Sequence, residues 1–273
     1  MTIKRKYQNK NDWHIIGLST VLNLLIPVLS TFFCVSEMLA NEEKNKIDTP
    51  ILFQPPPGEE QPEDTKGGGS RDDGSSCDRD FTVQGQKNIG NPTSLTAIAP
   101  NGNYGLTTAE RPTFWVNLPP TSAQQAILLI KKGSNPDWHR LPTHSQQLVN
   151  LTGEAGIVGM KLSKDAPALE IGKSYRWVVA LVCGSKPSPN DPLIASGIGR
   201  IDRSQISRDT PNVLTELDKA SLYAEKGIWY DALNILMAEK SSQNNWNDLW
   251  VGYLRSGGLA DDIANETVIG EIK

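Results

Sequence analysis

Histidine and cysteine are scarce in this chain, three of each among 273 residues, and both scarcities restrict its chemistry. His139 and His144 stand five apart, not at the helical i, i+4 spacing that brings two imidazoles to one metal. Pro136 and Pro142 keep that stretch out of a helix, and no cysteine lies nearby as a third ligand. Both are read as solvated loop histidines, and neither a metal nor a cofactor is expected. A serine hydrolase lacks its Gly-x-Ser-x-Gly elbow, and a histidine base could come only from this one loop. Lys66-Gly67-Gly68-Gly69-Ser70 is glycine-rich but lacks the Gly-Lys-Ser/Thr ending of a phosphate loop, and no strand precedes it. Basic clusters are missing as well. With a net charge of −4, the chain offers phosphates no concentration of cations, so no nucleic-acid partner is expected. The adjacent acids Glu59-Glu60, Asp72-Asp73 and Asp261-Asp262 fall in segments read as flexible, which cannot hold two carboxylates at a catalytic separation. Nor does Asp72-Asp73-Gly74 continue into a calcium loop. Taken together, these absences predict a protein that is not an enzyme.

The N-terminus carries a long apolar run. Lys4, Arg5, Lys6 and Lys10 precede the mostly apolar stretch Ile15–Val35, and Ala40 offers a small residue for cleavage, although Met38 sits where another small residue is preferred. Residues 1–40 are therefore read as a signal peptide or a membrane anchor, the run being long enough for either. Thr31-Phe32-Phe33 before Cys34 lacks the small residue that lipidation needs. Either reading places the rest of the chain outside the cytoplasm, in the periplasm or cell envelope. Removing the leader takes away four cations and two anions, which shifts the net charge from −4 to −6.

Beyond the leader only Cys77 and Cys183 remain, a pair with no spare thiol. In an oxidising compartment they are expected to form one long-range disulfide. Their distance in sequence, without a Cys-x-x-Cys arrangement, argues against a redox-active pair. Residues 41–76, with Gln54-Pro55-Pro56-Pro57-Gly58 and the triple glycine, carry too little apolar surface to offset ordering entropy and read as a disordered linker.

From 77 to 203 short β-rich runs recur between turn residues. Strands are predicted near Leu95–Ala99, Thr113–Leu118, Ala126–Lys132, Gly156–Leu162, Ser174–Cys183 and Leu193–Ile201. Tyr175–Cys183 is apolar on both faces, which marks a central strand and not an edge. Ahead of it, Leu169-x-x-Gly172-x-x-Tyr175 has the spacing of a tyrosine corner, in which a phenol bonds back to backbone at a sheet-to-sheet crossing. At Asp209-Thr210-Pro211 the composition turns helical, with Thr210 placed to cap and Pro211 at the first helical position. Ala220, Tyr223, Gly227, Trp229, Ala232 and Leu236 then fall at tetratricopeptide spacing, and Trp250 suits the start of another repeat that Gly257-Gly258 cuts short. The expected architecture is mainly β with an α tail. An immunoglobulin/fibronectin-like β-sandwich (77–203) leads into a short tetratricopeptide-like helical cap (209–262, one and a half repeats) and a tail (263–273).

Several short motifs are shared with one family. Leu95-Thr-Ala-Ile-Ala-Pro100, Gly105-Leu-Thr107, Pro112-Thr-Phe-Trp115, Gly172-Lys-Ser-Tyr-Arg-Trp177 and Gly227-Ile-Trp-Tyr-Asp-Ala-Leu233 resemble, as a set, a cyanobacterial family of exported proteins. That family is catalogued as domain of unknown function nine hundred and twenty-eight. The resemblance implies a cyanobacterial source and an extracytoplasmic setting, and it brings no catalytic residues. Members usually carry a richer Arg-Gly stretch before the first cysteine, here thinned to Lys66-Gly-Gly-Gly-Ser-Arg71, and an aspartate after the second, here Gly184.

The functional expectation is a non-enzymatic, extracytoplasmic protein-interaction module with an envelope protein as partner, possible membrane anchoring running through Ile15–Val35. The alternative is a glycan- or small-ligand-binding envelope domain working through exposed aromatics. Of the tryptophans, Trp138, in the turn-rich Gly133–Arg140 stretch, is the one expected at the surface as a binding residue.

Overall fold

Thr113–Leu118, rich in β-branched and aromatic side chains, forms the central strand of one sheet, as its composition dictates. The computed structural model describes residues 50–56, 77, 95–102, 104–135, 137–206 and 214–272, all within the unit Pro50–Lys273. In chain order the strands are β1 (Thr96–Ala97), β2 (Tyr104–Thr107), β3 (Thr113–Leu118), β4 (Gln125–Lys132), β5 (Thr143–Asn150), β6 (Gly156–Lys161), β7 (Lys173–Val182) and β8 (Leu193–Arg200). Four helices follow: α1 (Glu216–Glu225), α2 (Trp229–Ala238), α3 (Trp246–Ser256) and α4 (Asp261–Ala264). The last element is β9 (Val268–Ile272). Sheet A has the order β1-β3-β6-β9 and sheet B the order β2-β8-β7-β4-β5. Neighbours are antiparallel except β2 on β8 and β9 on β6. The protein is thus mainly β, two sheets of nine described strands with a C-terminal helical part.

All six predicted strands are present within a residue or two of their expected ends, apart from β1, which is shorter. β7 is central, paired with β8 on one side and β4 on the other. Four elements differ from expectation, the first being β2, an unpredicted short strand paired in parallel with β8. The predicted histidine loop contains β5, a polar strand that carries no long apolar run to announce it. The predicted tail contains β9, which completes sheet A. The predicted linker includes residues 50–56, where Ile51 and Phe53 are buried and Gln54 N–H donates to Ala224 O at 3.0 Å. Two apolar residues in a proline-rich setting were enough to anchor that stretch. Glu59-Glu60 and Asp72-Asp73, Thr210-Pro211 and the Ile15–Val35 run lie outside the described residues. Among the described residues, no helix is long and apolar enough to cross a membrane.

The first described helix begins at Glu216. Thr215 caps α1 through a reciprocal box: its hydroxyl accepts from Asp218 N–H, while the Asp218 carboxylate accepts from Thr215 N–H. Gly227, at φ +73°, turns α1 into α2. A side chain there would meet Pro56, so glycine is required twice over. The Asp261-Asp262 pair, expected to be flexible, opens α4, and Asp261 accepts from Arg255 Nε at 2.6 Å.

Cys77 and Cys183 form the expected disulfide, with Cα atoms 4.9 Å apart and a sequence separation of 106. On the chain-entropy account, closing a loop of that length stabilises by about 4–5 kcal/mol.

Candidate functional site

Alternation along β3 decides which sheet faces are covered. Phe114 packs on Trp177 of sheet B, ring centroids 5.2 Å apart, so it points into the space between the sheets. Trp115, the next residue, must then point to the outer face of sheet A. There its indole N–H donates to Asn234 Oδ1 of α2 at 2.7 Å. Lys240, just after α2, donates to Val268 O on β9 at 2.8 Å. Helices therefore lie on the outer face of sheet A, and every residue of β3 is buried. Gly159, opposite Trp115 on β6, leaves room for that indole.

The first turn of α2 is keyed into the sandwich. The Tyr230 hydroxyl accepts from Trp177 Nε1 at 2.7 Å and donates to Gly197 O on β8 at 2.9 Å. Burial pushes its ionisation well above the ordinary tyrosine range. Trp229 N–H donates to Ile98 O at 3.0 Å, and its ring stacks on Tyr253 and meets Phe53 edge-on. Gly257 lies against the same ring, where a side chain would collide, which explains a glycine at the end of α3. Asp231 accepts from the hydroxyls of Thr107 (2.6 Å) and Thr108 (2.5 Å) and from Thr108 N–H. Burial raises its pKa against the pull of those bonds. These groups are locked to one another and hold the layers together. Together they form the joint between the helices and the sandwich.

Sheet B differs. No described helix lies on its outer face. Register places its residues there in rows: Gly197, Arg176, Lys131 and Thr143; then Ala195, Val178, Leu129 and Gln146; then Leu193, Ala180, Ile127 and Leu148. Ile127, Leu129, Ala180, Leu193 and Ala195 are half-buried, Val178 is buried, and Leu148 is 56% exposed. At the rim, β5 pairs only with β4 among the described strands, so alternate residues of its eight carry backbone groups on the outer edge that no described strand pairs. That edge carries no Lys, Arg, Asp, Glu or Pro, the residues with which proteins usually guard such edges. Its other side chains tie it down. Gln147 donates to Lys161 O at the end of β6 and accepts from Ser163 N–H just beyond it, and His144 Nε2 lies 3.1 Å from Pro167 O.

The residues singled out from the sequence fall in separate places. Tyr175 is buried, and its hydroxyl accepts from Glu170 N–H at 2.8 Å, five residues upstream. Gly172 has φ +72°, a backbone that only glycine adopts freely. His144 belongs to a strand, its ring 5.0 Å from Tyr175, whereas His139 stays on an exposed short turn. Trp138 is half-buried and stacked on His139 at 3.7 Å, so less of it is free than expected. Arg176 and the open β5 edge were not singled out at all. A lone arginine in an apolar strand was the available signal for the first, and nothing in Thr143–Asn150 signalled the second.

No curated protein and no solved structure matches the chain. One family model matches residues 66–268, a span that includes both bridged cysteines, strands β1 to β8 and all four helices. The chain belongs to that family, Domain of Unknown Function (DUF928).

Proposed function

We propose that the protein is a non-enzymatic, extracytoplasmic interaction module whose docking element is the β5 edge of sheet B. The observation that carries this reading is the edge itself. Alternate residues of this uncharged eight-residue strand offer backbone donors and acceptors, which no described strand pairs, to an extended segment of another protein, beside the exposed Leu148. A partner strand added there would continue sheet B and lay alternate side chains along Leu148 and Ile127. The long-range disulfide fits the oxidising setting that the apolar N-terminal run implies. The polar groups with shifted ionisation in the interior are engaged with one another, which supports a structural use over catalysis.

We read the sandwich as immunoglobulin/fibronectin-like. In that fold the first, second and fifth strands share one sheet, while the third, sixth and seventh share the other. Taking β1, β3, β4, β6, β7 and β8 as those strands reproduces the division. Tyr175 then sits near the start of the sixth strand, where a tyrosine corner belongs. The α1–α2 hairpin, closed by Gly227 with Ala220 and Ala232 fully buried, is read as one tetratricopeptide-like unit used as a cap. The glycan-binding alternative has less support, because five of the six described tryptophans are buried and Trp138 is stacked on His139.

Photo-crosslinking in the native compartment tests the reading. A photoreactive residue at 146 or 148 is expected to capture a discrete protein partner, and one at exposed Asn190 is not. Adducts at 190 with none at 146 or 148 would refute β5 as the docking edge. Leu148→Lys should abolish the adduct at 146 without unfolding the protein.

A further inference from the structure

A contact just past the end of β5 sets which way its backbone groups point. Leu151 N–H donates to Gln124 O at 2.9 Å, so these residues form a hydrogen-bonded pair of the β4–β5 ladder. Counting back in twos, Val149, Gln147 and Ser145 turn their backbone groups toward β4. Gln146, Leu148 and Asn150 turn theirs to the outer edge, which no described strand pairs. The same three residues are exposed, Leu148 at 56%. Between Ser145 and Thr143 the register shifts, and this bulge ends regular pairing at that side. Gln147 ties the strand to Lys161 and Ser163, so the edge is fixed before anything docks on it.

Charge decides which strand suits this edge. Around a two-fold axis a side chain lies close to its own counterpart, so a charged residue there would meet its like. A foreign strand sets no such condition and is commonly selected by opposite charges. Thr143–Asn150 carries no Lys, Arg, Asp or Glu, which fits antiparallel pairing with a copy of itself. With Leu148 on the axis, the two exposed leucines face one another, and Gln146 stands opposite Asn150 of the second copy. Asn150 Oδ1 accepts from Gln125 Nε2 at 3.0 Å, so its amide nitrogen is the atom to donate to Gln146 across the axis. An axis at Gln147 would set each leucine against a glutamine, and one at Gln146 would set it against His144 at the bulged end. A closed pair also occupies the edge of both copies, so no further chain adds there. That guards the edge without charge or proline.

We infer that the strand docking on β5 is β5 of a second copy of this chain, in an antiparallel two-fold pair centred on Leu148. This names the partner of the edge and rests on the reading of β5 as the docking element. The contact is one strand wide and falls at the small end of interface areas, so the pair is weak and depends on concentration.

The test co-expresses two differently tagged copies of the full chain in the native compartment, one with a photoreactive residue at 146. Irradiation should give an adduct that carries both tags. Leu148→Lys in both copies, or Leu148→Glu in both, should reduce that adduct at least about tenfold, because like charges then meet across the axis. A Leu148→Lys copy paired with a Leu148→Glu copy should restore it to within about threefold of wild type, which loss of folding could not do. Urea midpoints of the single variants, close to wild type, confirm that each chain is folded. A Lys–Lys pair that crosslinks as well as wild type, or a Lys–Glu pair that stays as low as Lys–Lys, would overturn the pairing. An adduct at 146 between one tagged copy and a different protein, with no dual-tag adduct, would overturn self-pairing and leave β5 standing as a docking edge. No adduct at 146 or 148 with any protein would end both readings.

Discussion

Sheet A and sheet B are built from similar strands but meet their surroundings differently, and α2 is the reason. Sheet A carries Trp115 outward into a hydrogen bond with Asn234, and β3 has no residue left at the surface. Sheet B sends its rim strand β5 out with alternate residues exposed and no described neighbour on one side. The helical part lies on the outer face of sheet A, and no described helix lies on that of sheet B. Long-range polar contacts concentrate at the closed side, where Trp229, Tyr230 and Asp231 each bind a different strand or loop of the sandwich.

The largest consequence of breaking the joint should come from Trp229. Its ring contacts Phe53, Tyr253 and Gly257 at once, and its N–H is spent on Ile98 O. Trp229→Ala removes a buried aromatic and its hydrogen bond together, which should cost about 3–5 kcal/mol in urea unfolding. A loss under about 1 kcal/mol would mean that helices and sandwich are not one cooperative unit.

Tyr230→Phe is a finer probe of the same joint. It keeps the ring on Phe114 but leaves Trp177 N–H and Gly197 O without their partner. Each orphaned buried group is penalised, and the expected loss is about 1–3 kcal/mol. Near-UV circular dichroism should change along with it, because Trp177 lies at the centre of the core.

Asp231 sharpens the contrast through pH. Its folded pKa is raised, so the folded state binds the proton more readily than the unfolded chain. Its contribution is present below the unfolded carboxylate pKa and declines as pH rises through the folded value. Thr107 and Thr108 donate to it, and Arg203 is the cation that acts on it. Asp231→Asn should therefore flatten the stability profile across the acidic range, measured as urea midpoints between about pH 3 and 7. Parallel profiles for the two proteins would exclude this carboxylate as a titrating group.

The joint was only partly legible beforehand. Local signals in Thr113–Leu118, in Lys173–Val182 and around Gly227 are strong because β-branched runs, aromatic content and a turn glycine act on neighbouring residues. β5 escaped because Thr-His-Ser-Gln-Gln-Leu-Val-Asn owes its extended form to the ladder with β4, a partner eleven or more residues away. β9 and residues 50–56 escaped for the same reason, since each is ordered by surfaces far off in sequence. The tyrosine spacing at Leu169-x-x-Gly172-x-x-Tyr175 was readable because the bond it makes closes over five residues.

The smallest effect is expected on the open side, and its smallness is the point. Leu148→Lys places a charge on the outer face of sheet B at a residue already 56% exposed. Folding stability should change by no more than about 0.5 kcal/mol, the range for surface substitutions away from special features. The equivalent change across the molecule, Trp115→Lys, would bury a charge under α2 and should prevent folding. Comparing the two separates a face held for stability from one held for contact. If Leu148→Lys were as damaging as a core substitution, Leu148 would have to be covered in the folded protein, and the β5 rim could not be the place where a partner strand docks.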